Sequence, residues 1–110
     1  MKALIVDEPW VSLILRGERM WEMRSNHTPM RGRIALIRKG LGTVVGLADL
    51  LDSIGPLDEI AWRAYRGRHK IPLQDYPAVK RWNFAWELGD VRSFASWWPI
   101  TSRCWNSCSS

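Results

Sequence analysis

Apolar residues along this chain either alternate with polar ones or run together in short stretches, and turn residues separate the stretches. Residues 2–7 (KALIVD) form an apolar, partly β-branched run that predicts a buried strand. Glu8-Pro9-Trp10 then opens a helix, with Pro9 near the first turn, where a missing N–H is harmless. Trp10, Leu13 and Ile14 fall on one face of that helix, and Gly17 closes it as a C-terminal cap. Residues 20–25 (MWEMRS) alternate if extended, Trp21 and Met23 facing one way and Met20, Glu22 and Arg24 the other. After a loop at 26–29, residues 32–38 (GRIALIR) and 43–51 (TVVGLADLL) read as two strands covered on both faces, as in a small barrel. Glycines 40, 42 and 46 suit a tight connection and a bend or bulge.

Beyond that hairpin the pattern turns helical. Residues 57–66 (LDEIAWRAYR) put Leu57, Ile60, Ala61 and Ala64 on one stripe, between Pro56 and Gly67. Residues 68–78 read as a polar surface connection, and 77–82 as a short helical turn. Residues 84–88 and 90–94 read as two last strands with Gly89 between them. From Ser96 onward neither periodicity continues, and the segment 96–110 is expected to fray from a domain that spans 1–95. The predicted class is α+β, a small mixed β-barrel with two or three short helices.

Composition narrows the function classes. A chain of 110 residues makes one domain with a thin core. No apolar run approaches the roughly 20 residues needed to span a bilayer. The first segment lacks the basic leader and cleavage site of a signal peptide, so a cytoplasmic protein is expected. Cys104 and Cys108, spaced C-x3-C, have no second pair or neighbouring His to complete a tetrahedral site, and neither a metal nor a cofactor is implied. The formal charge is +5. Its cations cluster at Arg31, Arg33, Arg38 and Lys39 and again at Arg63, Arg66, Arg68, His69 and Lys70, a distribution that favours polyanions. Of the eight tryptophans, Trp10, Trp21, Trp62, Trp82 and Trp86 sit among apolar neighbours as core or near-core residues. One or two of them could instead serve as base-stacking platforms.

Three segments together resemble the ASCH family, a relative of the PUA domain. Residues 2–19 (KALIVDEPWVSLILRGER) are similar to its opening strand and helix, and residues 17–24 (GERMWEMR) to its Gly-x-Lys-x-x-Glu-x-Arg signature. GRIALIRKG followed by VVGLADLLD resembles the two barrel strands that come next, and Trp82-Asn83 with Trp86-Glu87-Leu88 a later element. The resemblance covers residues 2–95 and implies a PUA-like barrel that binds RNA or a nucleotide-like ligand on the face carrying the signature. Two departures stand out. Arg19 replaces the usual Lys, and the tail does not look like the apolar final strand of similar small bacterial members.

On a strand, Glu22 and Arg24 share one face and can line one cleft, with Arg19 just before them. The ligand-binding candidates are therefore Arg19, Glu22 and Arg24, with Arg31, Arg33, Arg38 and Lys39 supplying affinity without sequence choice. The plainer alternative is a Glu22–Arg24 ion pair on a solvated strand face. Some similar small proteins are amidohydrolases acting on acetylated cytidine, and the family is linked to RNA cleavage. The amidohydrolase motif has Lys where this chain has Arg19 and Thr where it has Glu22, and arginine, always protonated, cannot replace a lysine base. RNA cleavage would instead call on Glu22 or His27 as general base, with arginines stabilising the developing charge. His69 reads as a solvated surface residue. Three expectations follow: an RNA- or nucleoside-binding module, a hydrolase on the same cleft, or a module that contacts a protein partner.

Overall fold

In the computed structural model of the chain, residues 1–94 are described; the segment 96–110, with both cysteines, lies outside them. Among the described residues five strands form one mixed sheet: β1 (Lys2–Val6), β2 (Trp21–Arg24), β3 (Gly32–Arg38), β4 (Thr43–Ile54) and β5 (Phe84–Ser93), in the order β1-β3-β4-β5-β2. Only the β1–β3 pair is parallel; the other neighbours are antiparallel. The result is a half-barrel within the expected α+β class. Its two end strands, β1 and β2, come from the first 24 residues of the chain, and neither is paired to the other.

The helices are short and take their places from what they cover. α1 (Trp10–Leu15) buries Val11 and Ile14 completely, one turn apart. The face nominated by Trp10, Leu13 and Ile14 is thus rotated toward Val11, because Val11 and Ile14 meet Leu4, Val6, Ile34, Leu36, Ala48, Leu50 and Leu88 in the larger of two core clusters. The smaller cluster joins Trp21, Met23, Trp62, Ile71 and Ala85. α2 (Glu59–Ala64) starts at Asp58, whose carboxylate accepts the Ala61 N–H at 2.8 Å and satisfies one of the helix's free donors. α3 (Arg66–His69) follows and ends at Lys70 in the left-handed conformation. A 3-10 turn at Leu73–Asp75 leads to α4 (Tyr76–Val79).

Several sequence expectations are corrected here. The stripe through Ile60 does not form the buried face, since Ile60 is 81% exposed and Trp62 is the buried residue of α2. The connection after residue 68 is not wholly superficial, because Ile71 is buried. Residues 84–93 make one strand and not two. Gly89 stays within it opposite Asp49, and the extra residue is absorbed as a bulge in which Asp90 adopts φ 45°. A second bulge lies on β4 beside Gly46, with Val45 the extra residue opposite Leu36 and Ile37, and a Cβ at Gly46 would lie 2.6 Å from the Arg92 carbonyl oxygen and 2.7 Å from Leu15 Cδ2. Only glycine lets these two strands and α1 approach so closely.

No helix among the described residues is long and apolar enough to cross a membrane.

Candidate functional site

The open seam between β1 and β2 is a cleft of about 300 Å3. Its walls come from Ile5 and Asp7 at the end of β1, Trp10 at the start of α1, Arg19 in the connection before β2, Glu22, Met23 and Arg24 on β2, and Ile71, Val79 and Trp82 from the crossover. Lys39, just after β3, stands at its edge. That volume sits at the lower bound of small-ligand sites, which run from about 300 Å3 upward.

Arg19, Glu22 and Arg24 form one network at the base of this cleft. Glu22 is 7% exposed and Arg19 2%. Arg19 Nη1 donates to Glu22 Oε1 at 2.5 Å, and Arg24 Nε donates to Glu22 Oε2 at 3.1 Å, so each carboxylate oxygen has its own guanidinium. Arg19 Nε donates to the His69 carbonyl at 2.7 Å, and its guanidinium lies 4.7 Å from the centre of the Trp10 ring. Arg24 Nη2 donates to the Ile5 carbonyl at 2.5 Å, and its guanidinium lies 5.4 Å from the Trp86 ring. The solvated Glu22–Arg24 pair considered from the sequence is therefore a mostly buried three-residue network. Burial lowers the Arg19 pKa and Glu22 opposes that shift, yet an arginine so far above neutrality stays charged. The remaining N–H groups of both arginines have no protein acceptor among the described residues. They are donors available to an anionic or carbonyl-bearing ligand.

The other candidates lie elsewhere, apart from Lys39, whose ammonium is 3.9 Å from Asp7. Arg31 donates to the Thr28 and Met30 carbonyls and approaches Asp52 at 3.4 Å. Arg33 is held between Asp49 and Asp90, at 3.3 and 2.7 Å. Arg38 is paired with Glu8. His27 is outside the cleft lining, with Nδ1 2.8 Å from Ser53 Oγ and its ring against Phe84.

His69 is corrected outright: it is fully buried, not solvated. Its ring stacks on Trp62 at 4.4 Å, Nδ1 accepts the Ile71 N–H at 2.9 Å, and Nε2 donates to the Trp62 carbonyl at 2.8 Å. Both nitrogens are thus assigned in the neutral ring, and burial pushes the pKa below the ordinary 6.5. Through its own carbonyl, His69 also holds Arg19 in place.

Sequence reasoning did not assign Trp10 as the surface beneath Arg19, nor Ile5, Asp7, Ile71 and Val79 as cleft residues. A backbone carbonyl such as that of Ile5 leaves no mark in the sequence. The Trp62–His69 stack left none that helical spacing could show, because α2 ends at Ala64 and the two residues sit on separate short helices. Among the described residues no cluster of three or more His, Cys, Asp or Glu could hold a metal ion.

Comparison with known proteins adds the following. No curated protein matches the chain. A crystal structure of a point mutant of the ZmASCH protein from Zymomonas mobilis matches with a TM-score of 0.68, over 83% of this chain and 70% of that one. At 19% identity that likeness is one of fold. The family model for the ASCH domain matches residues 4–97, nearly the whole described fold, and by that match the chain belongs to the ASCH domain family.

Proposed function

We propose that this domain binds RNA, or a nucleotide-like piece of it, in the cleft between β1 and β2, with Arg19 and Arg24 as the ligand-facing donors and Glu22 as the residue that aligns them. One observation carries the proposal: two guanidinium groups are fixed by a shared buried carboxylate beside Trp10 and Trp82, and each keeps unused N–H donors. Arginine forks suit phosphate oxygens and base edges, and indole faces suit base stacking. Membership in the ASCH family supports this choice of ligand class.

Binding is favoured over catalysis by the state of Glu22. A general base must reach the proton that it removes, and each Glu22 oxygen is held toward its own arginine at the buried side of the cleft. His27 sits with Ser53 and Phe84, away from the cleft lining.

The test is a fluorescence-anisotropy titration of a labelled single-stranded RNA with the protein and with Arg24→Ala, with the RNA checked on a gel for integrity. Saturable binding that Arg24→Ala weakens several-fold is expected. Equal binding by both proteins would remove the cleft from the function. Shortening of the RNA that Glu22→Gln stops would replace the module with an enzyme.

A further inference from the structure

We infer that the crossover from Arg66 to Trp82 is a phosphate track that leads one single strand of nucleic acid into the seam cleft. This rests on the ligand class proposed above and extends it to the strandedness of the ligand and to where its backbone runs.

The inference starts from which cations are already neutralised. Among the described residues, only Lys2, Arg66, Lys70, Lys80 and Arg81 have no carboxylate within 4.0 Å. Four of these five fall within residues 66–82. Over that stretch Arg66, Arg68, Lys70, Lys80 and Arg81 face a single acidic residue, Asp75, so the segment carries +4 of the chain's formal +5. The cluster at 31–38 is rich in arginine, but its charge is spent on Asp52, Asp49, Asp90 and Glu8. The free positive field therefore rises from the crossover.

The crossover is also a wall of the cleft. Ile71, Val79 and Trp82 line it, Lys70 directly precedes the first of these, and Lys80 and Arg81 lie between the other two. All three cations are exposed, and Arg81 stacks on Trp82 with its guanidinium 4.2 Å from the ring centre. An exposed cation on an indole that borders a base-sized cleft is the combination by which single-strand binders hold a phosphate and its neighbouring base together.

Duplex RNA fits poorly. Its bases are stacked inside and cannot enter a cleft of about 300 Å3 without being extruded. The crossover's helices, four residues each, offer no element of a length that could lie along a groove.

The experiment compares the wild-type protein, the triple variant Lys70→Ala/Lys80→Ala/Arg81→Ala and Arg31→Ala. Each is titrated with a labelled ten-nucleotide oligouridylate over a salt series, and with uridine as a probe of the cleft alone. Each lost contact to a single strand removes about 0.7 from the log–log salt slope. The triple variant should therefore lose about 2 from the slope and at least tenfold in affinity, with uridine binding unchanged and Arg31→Ala like wild type. The same oligonucleotide annealed to its complement should bind more weakly than the single strand. A triple variant with the wild-type slope, or a duplex bound as tightly as the single strand, would overturn the track and leave the cleft reading standing. Wild-type protein that binds neither oligonucleotide nor uridine would overturn both.

Discussion

Arg24 Nη2 on β2 donates to the backbone carbonyl of Ile5 on β1 at 2.5 Å, and with that bond one side chain spans the gap between the two ends of the sheet. A sheet edge normally exposes a row of unpaired carbonyls and N–H groups. Here one of those carbonyls is taken by an arginine that also lines the candidate cleft. The closure of the half-barrel and the shape of the candidate site therefore share a residue.

Replacing Arg24 should read out in both. The side chain is 31% exposed, so solvent screens part of what it contributes. Arg24→Ala is expected to cost about 1 kcal/mol of stability. In a domain of this size that lowers Tm by about 4–8 °C. RNA affinity should fall several-fold at the same time. Thermal melts and anisotropy on the same samples check this, and a large stability loss with unchanged affinity would make Arg24 purely structural.

Glu22 is the more sensitive position. Removing its carboxylate leaves Arg19, 2% exposed, as a buried charge without its partner. Breaking such a pair costs about 3–5 kcal/mol. Urea unfolding of Glu22→Ala should therefore show a clearly larger loss than Arg24→Ala, and a loss no larger would contradict the buried network.

Arg19→Lys, the change toward the signature that residues 17–24 resemble, should be unfavourable here. Arg19 reaches the His69 carbonyl through Nε and Glu22 through Nη1, two bonds in one planar fork. Lysine has a single ammonium and loses that fork and its stacking on Trp10. A drop of about 1–2 kcal/mol by urea unfolding is expected. A lysine variant as stable as wild type would show that the fork is dispensable.

His69 makes stability depend on pH in a defined direction. Its folded pKa is pushed below 6.5 by burial. As pH falls through 6.5, the unfolded chain takes up a proton that the folded ring refuses, because Nδ1 is occupied by the Ile71 N–H. The contribution is full above 6.5 and is lost as pH falls toward the folded value. Unfolding free energies at a series of pH values should slope downward below 6.5, and His69→Phe, which keeps an aromatic ring against Trp62, should remove that part of the slope. An unchanged slope in the variant would assign it to other groups.

Gly46→Ala tests the close approach of α1 and the β4–β5 pair. The new methyl would meet the Arg92 carbonyl oxygen, a backbone atom that cannot turn away. Overpacking of this kind costs about 1–3 kcal/mol. Urea unfolding of the variant measures it, with RNA affinity expected to stay at the wild-type level.

Much of this molecule could be read along the chain because its strands are short and strongly patterned. Residues 2–6, 21–24 and 32–38 fall where the apolar runs put them. Glu22 and Arg24, read as sharing one strand face, are paired, and Arg19, whose direction alternation could not set, joins them through Glu22. What the pattern missed depends on tertiary partners. Gly89 looks like a break, yet β5 runs through it because β4 pairs with it on both sides of the bulge. Ile60 has the hydropathy of a core residue and lies in solvent, since α2 turns Trp62 inward instead. His69 sits in a run of cations that looks solvated, and only the left-handed turn at Lys70 and the stack on Trp62 bring it inside. The pairing of Arg31, Arg33 and Arg38 was equally out of reach, because their carboxylates lie 16 to 57 residues away along the chain.

The most direct test of the central claim is a two-dimensional 1H–15N NMR titration of the labelled protein with a short single-stranded RNA. It should follow the Trp10 and Trp82 indole N–H signals and the Arg19 and Arg24 Nε–H signals. Saturable shifts concentrated on these four are the predicted result, with the three signals that remain in Arg24→Ala saturating only at several-fold higher RNA concentration. Shifts confined to the Arg31–Arg33 face, or none at all, would contradict it.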